Sequence, residues 1–217
     1  MSTLAMLVTA LALFIMVFDL RSPPSYSTSW HAYLTKDEVT HPLAKYWFNR
    51  ADQHPAAINA FAAGPLPPQE VLLWESRLRL RDDGYLAAEN GWARFEDDSV
   101  YVAVKTFFPG TTTEMLDWWF EWAHCEENIR YKIWYPGAHY AMSRAPTPDV
   151  PIYENSKVYW GKSRFLVEDV GVGLATLRFD FIEPVDFGFD ELPEGSTRLA
   201  VRVGLPNGLL KTVDMIH

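Results

Sequence analysis

The chain opens on a stretch with almost no polar interruption: residues 4–18 are apolar apart from Thr9, and Asp19 and Arg21 end the run. A membrane-spanning helix takes about 20 such residues. A secretory signal has a basic start and small residues at its cleavage point. No Lys or Arg precedes this run, and Phe18-Asp19-Leu20 is a poor cleavage point. Residues 1–20 therefore read as a membrane anchor or uncleaved signal, as a cleaved signal, or as a buried core helix. The first two readings place the protein at a membrane or in the secretory pathway, the third in the cytoplasm. Residues 21–35 begin RSPPSYSTS and read as a linker. Residues 36–217 then read as one domain.

Within that domain the pattern changes character part-way. Residues 36–63 are helix-prone, with Thr35 as an N-cap and Pro42 and Pro55 as breaks. Residues 71–80 predict a short helix or strand. From Trp92 onward strand signals dominate. Residues 100–108 alternate, with β-branched and aromatic side chains, and Pro109-Gly110 closes them. Residues 111–124 predict a helix, with Thr111 and Glu114 at capping-box spacing and no Gly or Pro inside. Residues 129–135 predict a strand ending at Pro136-Gly137. Further strands are expected over 159–167, 173–182, 198–203 and 212–217. Helices early and antiparallel-type strands later imply an α+β fold.

Composition narrows the partners. A net charge of −9 with no run of Lys or Arg lacks the footprint of a nucleic-acid binder. Aromatic residues reach 15%, nine of them Trp, enough to fill a core or to line a pocket for a flat ligand. The single cysteine, Cys125, excludes an internal disulfide framework. No HExxH, GxSxG, P-loop or GxGxxG pattern occurs.

Candidate chemistry concentrates in residues 118–140, which hold eight aromatic rings and two of the six histidines. On a helix, Leu116, Phe120 and His124 share one face, which sets an imidazole beside large rings. His139 follows the Pro136-Gly137 turn, where functional residues concentrate. Glu168, between apolar neighbours, reads either as a pocket carboxylate able to bind a metal or as a turn residue before Gly171. Cys125 next to His124 does not make a nucleophile–base pair, because neighbours on a helix point about 100° apart. His31, His41 and His54 receive no role.

Several segments, taken together and in order, resemble the 2,4-diacetylphloroglucinol hydrolase and phloretin hydrolase family. They are Gly84-Tyr85-Leu86, Glu89-Asn90-Gly91-Trp92, Tyr101-Val102-Ala103-Val104, and Asp117-Trp118-Trp119-Phe120 followed by Trp122 and His124. The run from Arg130 to Trp134 with Pro136 and His139, then Val167-Glu168-Asp169 with Gly171, then Phe187-Gly188-Phe189-Asp190 complete the set. The resemblance covers residues 84–190. It implies a helix-grip (Bet v 1-like) fold and a zinc enzyme that hydrolyses the carbon–carbon bond between an acyl group and a polyhydroxylated aromatic ring. It also implies His124 and Glu168 as two ligands of Zn²⁺, with a His and a Glu one turn apart on a C-terminal helix as the others.

This chain departs from that pattern at two points. Ala123 stands between Trp122 and His124, and no His-x-x-x-Glu occurs, the chain ending at His217. On this reading the C-terminal helix is missing, His139 is the acid that protonates the ring carbon, and Tyr131 is its substitute. Trp118, Trp119, Trp122 and Trp134 are the rings expected against an acylphloroglucinol-like or polyketide substrate. The alternatives are a metal-independent binding, cyclising or isomerising protein on the same fold, or an inactive fragment.

Overall fold

The core lies on both faces of one sheet, with a separate cluster of Leu34, Ala44 and Ile129 beside it. The computed structural model describes residues 33–48, 54–82, 86, 89–96, 100–123, 128–144, 157, 159–171, 173–190, 194–204 and 213–216. The apolar run at 4–18, most of the linker, His124, Cys125 and His217 lie outside them. Among the described residues no helix is long and apolar enough to cross a membrane.

The helix-prone stretch resolves into three short helices, α1 (Lys36–Val39), α2 (Ala44–Trp47) and α3 (Pro55–Ala62). Thr35 caps α1 as expected. Its hydroxyl accepts from the Glu38 backbone N–H at 3.2 Å, and the Glu38 carboxylate accepts from the Thr35 N–H at 2.8 Å. Two of the histidines without a role turn out to be local acceptors. His54 Nδ1 takes the Ala56 N–H and His41 Nδ1 takes the Leu43 N–H. Residues 74–81 form a 3₁₀ helix. Strands β1 (Gly91–Arg94) and β2 (Val100–Ala103) make a separate antiparallel pair, so the alternation expected to reach 108 stops at Ala103.

Helix α4 (Thr113–Ala123) lies where the pattern predicts it, but Thr112 rather than Thr111 faces its first turn, accepting from the Met115 N–H at 3.3 Å. The following segment overturns an expectation. Residues 129–135, read as a strand, lie in helix α5 (Asn128–Trp134). Ile129, Tyr131 and Ile133 alternate with Arg130 and Lys132, a pattern that a strand with one wet face would also show. Lys132 is in fact buried, its ammonium 2.7 Å from the Glu38 carboxylate. The spacing Ile129, Lys132, Ile133 is helical, and an inward ion pair gave it a strand-like disguise.

Five antiparallel strands follow in sequential order: β3 (His139–Arg144), β4 (Ser163–Asp169), β5 (Leu174–Ile182), β6 (Ala200–Gly204) and β7 (Val213–Ile216). Register fixes their faces, because directly paired residues point the same way. Leu166 pairs Leu177, Phe181 pairs Val201 and Phe179 pairs Val203. That face carries the main core with Tyr159, and Phe120 of α4 packs onto it. Glu168, two residues beyond Leu166 on β4, belongs to the same face. On the opposite face Asp180 accepts from the Ser163 hydroxyl at 2.5 Å and from Arg178 Nε at 2.9 Å. One end of that second face is closed by Ile182, Phe187, Phe189 and Ala200, and the Trp74 ring meets Phe187 edge-on.

Candidate active site

Three side chains of the core face and its covering helix converge at one end of the sheet. Tyr131 comes from α5, His139 begins β3, and Glu168 nears the end of β4. The turn between α5 and β3 places Gly137 at φ 93°, a left-handed conformation that glycine takes without strain. It reverses the chain so that His139 pairs across the sheet with Glu168. A shift in register just after His139 re-aims that end of the strand. Glu168 is thus a strand residue, and the turn before Gly171 is made by Asp169, whose carboxylate accepts from the Gly171 and Gly173 N–H groups at 2.8 and 3.2 Å.

The Tyr131 hydroxyl donates to Glu168 Oε1. The His139 ring stacks on the Tyr131 ring with centroids 4.1 Å apart and planes 8° from parallel. His139 Nδ1 lies 3.2 Å from the Tyr131 carbonyl oxygen, and its Nε2 lies 3.7 Å from Glu168 Oε1. A carbonyl only accepts, so the neutral ring carries its proton on Nδ1 and turns an unprotonated Nε2 toward the carboxylate. Two electron-pair donors of different chemistry therefore face one another across a short gap.

Burial sets the protonation of all three. It pushes His139 down to about 4, with the Tyr131 carbonyl only partly opposing it. It pushes Tyr131 far above an ordinary phenol, and the charge of Glu168 and their hydrogen bond add to this. It also pushes Glu168 above the usual carboxylate range, with the Tyr131 hydrogen bond working the other way. Tyr131 therefore keeps its proton at neutral pH and His139 is uncharged. In ring-labelled, metal-free protein, the His139 resonances should stay those of a neutral imidazole from pH 8 down to about 4. A midpoint near the ordinary histidine value would mean that the ring is solvated.

The tryptophans expected to meet substrate form one ring cluster. Trp118 stacks on Trp122 at 5.2 Å, Trp119 lies 5.1 Å from Trp122, and Trp119 lies 5.2 Å from Trp134 of α5. The Arg130 guanidinium sits 4.5 Å over Trp122. Of the four only Trp134 reaches the nearby cleft, whose walls include Phe108, Phe120 and Tyr159 as well. Tyr131, His139 and Glu168 are not among the residues lining that cleft. Leu116 and Phe120 share it, in keeping with the shared helix face expected of them, while His124, the third of that set, lies outside the described residues. The residues 197–199 that complete the cleft carry no local sequence signal. They are brought there by the strap leading into β6.

Among the described residues no three His, Cys, Asp or Glu side chains gather at one point. The Glu168 carboxylate and the His139 Nε2 lone pair are nevertheless the oxygen and nitrogen donors that zinc takes. The Nδ1–H to carbonyl bond is the outer support a ligating histidine has. Two donors of the kind that zinc takes thus stand together among the described residues, one short of the three that a catalytic zinc site keeps.

A family model described as the DAPG hydrolase PhiG domain matches residues 72–217. The chain belongs to the DAPG hydrolase family. Among its relatives are a phloretin hydrolase of Eubacterium ramulus, 35% identical over 69% of this chain and 57% of that protein, and a 2,4-diacetylphloroglucinol hydrolase of Pseudomonas protegens, 30% identical over 69% of this chain and 50% of that one. The chain thus spans about half the length of these relatives. The segments that carried the resemblance in the sequence, residues 84–190, all lie inside the family match, which runs over residues 72–217. Within the family's region, the mixed helices and antiparallel sheet give the α+β class that the sequence pattern implied.

Proposed function

We propose that this member of the DAPG hydrolase family hydrolyses the carbon–carbon bond between an acyl group and a polyhydroxylated aromatic ring, with Zn²⁺ held by Glu168 and His139. The observation that carries the reading is the convergence of a proton-bearing phenol, an uncharged imidazole and a carboxylate at one buried point. The hydrolase names of the relatives, for phloretin and for 2,4-diacetylphloroglucinol, support the choice of bond and substrate class. The resemblance adds His124 to the donor set. The antiparallel sheet, with α4 packed on its core face, supports the helix-grip reading of the fold.

The overall change is acyl–ring plus water to carboxylic acid plus free ring. The water oxygen bonds to the acyl carbon, the C–C electron pair leaves to the ring carbon as an enolate, and that carbon takes a proton. A polyhydroxylated ring suits this, because its keto tautomer accepts the departing pair. When bound, the ion supplies Lewis-acid polarisation of the acyl carbonyl.

The rest falls to the chain's own groups. Tyr131 keeps its proton at neutral pH and is the donor suited to the ring carbon. Glu168, the carboxylate at that point, is placed to take a proton from water and to return it. His139, neutral above about pH 4, lacks the proton an acid needs at neutral pH. It serves as an electron-pair donor, and Tyr131 takes the acid role first assigned to it.

The test is phloretin incubated with the purified full chain, with zinc counted by elemental analysis. The expected result is about one zinc per chain, together with release of the free phloroglucinol ring that stops in chelator and returns with zinc. Intact phloretin at one zinc per chain would overturn the reaction, and cleavage that persists in chelator would overturn the role of the metal.

A further inference from the structure

The cleft beside the tryptophan cluster has aromatic walls and almost nothing polar to offer a ligand. Its walls are Phe108, Leu116, Phe120, Trp134, Tyr159 and Leu199. Asp117, Thr197 and Arg198 also border it, but their polar ends are engaged elsewhere. The Asp117 carboxylate takes the Lys157 ammonium, and the Thr197 hydroxyl donates to it at 2.6 Å. That hydroxyl in turn accepts from Lys157 at 3.0 Å. Arg198 sends its guanidinium away from the cleft. It lies 4.0 Å over the Phe189 ring, on the second face of the sheet, and its Nη2 donates to the Leu80 carbonyl at 3.3 Å.

The walls grade from a closed floor to an open mouth. Tyr159 is 1% exposed, whereas Trp134 is 37% and Phe108 47% exposed. Phe120 joins the two ends, its ring centroid 6.2 Å from that of Tyr159 and 5.5 Å from that of Trp134, tilted to both. The volume is about 80 Å³. A sealed apolar cavity of about 150 Å³ stays dry and takes one benzene ring. A hollow of about half that size, open where two large rings stand partly in water, therefore suits one ring and not two. Water gains little there, because it needs polar partners to be held. Exposed rings around an apolar hollow, by contrast, gain from being covered.

We propose that this cleft is a binding site for a single uncharged aromatic ring, a benzene ring carrying at most a short alkyl arm. The ring enters toward Tyr159 and is covered at its outer edge by Phe108 and Trp134. Tilted and offset ring contacts of this kind are the favoured ones. A charged group would lose its hydration on that floor without a partner, and each hydroxyl carried into it costs about tenfold in affinity. The preference is thus opposite to that of the Tyr131–His139–Glu168 point, where a polyhydroxylated ring is proposed, and none of those three residues lines the cleft. Binding in the cleft does not depend on the hydrolytic reading.

The test uses the full chain in excess chelator, so that no turnover is involved. 4-Fluorotoluene is titrated by fluorine NMR and, in parallel, against Trp emission. A ring that buries about 150 Å² should saturate with a Kd on the order of 1 mM. Toluene should displace it, while benzoate and 1,3,5-trihydroxybenzene should compete at least about tenfold less well. Phe108→Ala, at the exposed mouth where the fold is least at risk, should weaken 4-fluorotoluene by about fivefold. Binding that does not saturate, or a trihydroxylated ring that competes as well as toluene, would overturn the proposal on the native chain alone. A Phe108→Ala chain that binds as tightly as before would put the ring elsewhere and overturn the site. Failure of phloretin cleavage would leave these binding results standing, which keeps the two proposals apart.

Discussion

Glu168→Gln should lower the kcat for phloretin by at least about 100-fold while leaving the fold intact. Glutamine keeps the volume of the side chain, and its amide oxygen can still accept from Tyr131. What it removes is the negative charge, which the proposed Zn²⁺ also needs, and the capacity to move a proton, so zinc counted in the variant separates the two. Stability should change little, and the sign of the change follows from the direction of the shift. Burial holds the Glu168 carboxyl above the usual carboxylate range, so the folded state binds its proton more tightly than the unfolded chain does. The contribution of that group to stability is present below the ordinary carboxylate value and is lost as pH rises through the raised one. In metal-free protein at pH 8 the glutamine variant should therefore melt at or above the native temperature, and the difference should vanish at low pH. Loss of turnover without loss of stability marks a group kept for chemistry. Kinetics with a parallel melt decide the matter. A variant within about tenfold of native kcat would remove Glu168 from the reaction.

The same pair of properties explains what could be read in advance. Thr35 and Glu38 announce a capping box by local spacing alone, and the structure forms it. The strands expected over 173–182 and 198–203 form as Leu174–Ile182 and Ala200–Gly204, within two residues of those bounds. Alternation failed at residues 129–133, where Lys132 is polar yet faces inward. Its partner Glu38 lies 94 positions away, beyond any local window. His139 came to notice by its place after the Pro136-Gly137 turn, Glu168 by its apolar neighbours and Tyr131 through the family resemblance, but their meeting depends on strand register and on the left-handed Gly137, neither of which is written in their spacing.

Glu38→Gln is the change expected to cost most in stability. The Lys132 side chain is only 5% exposed and its partner 18%, so removing the carboxylate strands an ammonium in a poorly solvated place. Breaking a buried pair from one side costs about 3–5 kcal/mol. Glu38 is not wholly shielded, so the lower end applies, with a fall in melting temperature on the order of 6–10 °C for a chain of this size. The pH dependence carries a second signature. Burial by itself would raise the Glu38 carboxyl, but the hydrogen bond and charge of Lys132 and the Thr35 N–H outweigh it, and the net shift is downward. A depressed carboxyl stabilises the fold above its unfolded value and loses that contribution as pH falls through the folded one. The gap between native and variant should therefore be full near neutrality and close in acid, below the ordinary carboxylate range. Pairing Glu38→Leu with Lys132→Met removes both charges together, and this double change should recover much of the loss, because an apolar pair leaves no ion stranded. If the single and double variants melt alike, the contact between α1 and α5 depends on packing rather than on the ion pair. If only the single variant falls, the pair is what holds the N-terminal helix on the helix that carries Tyr131.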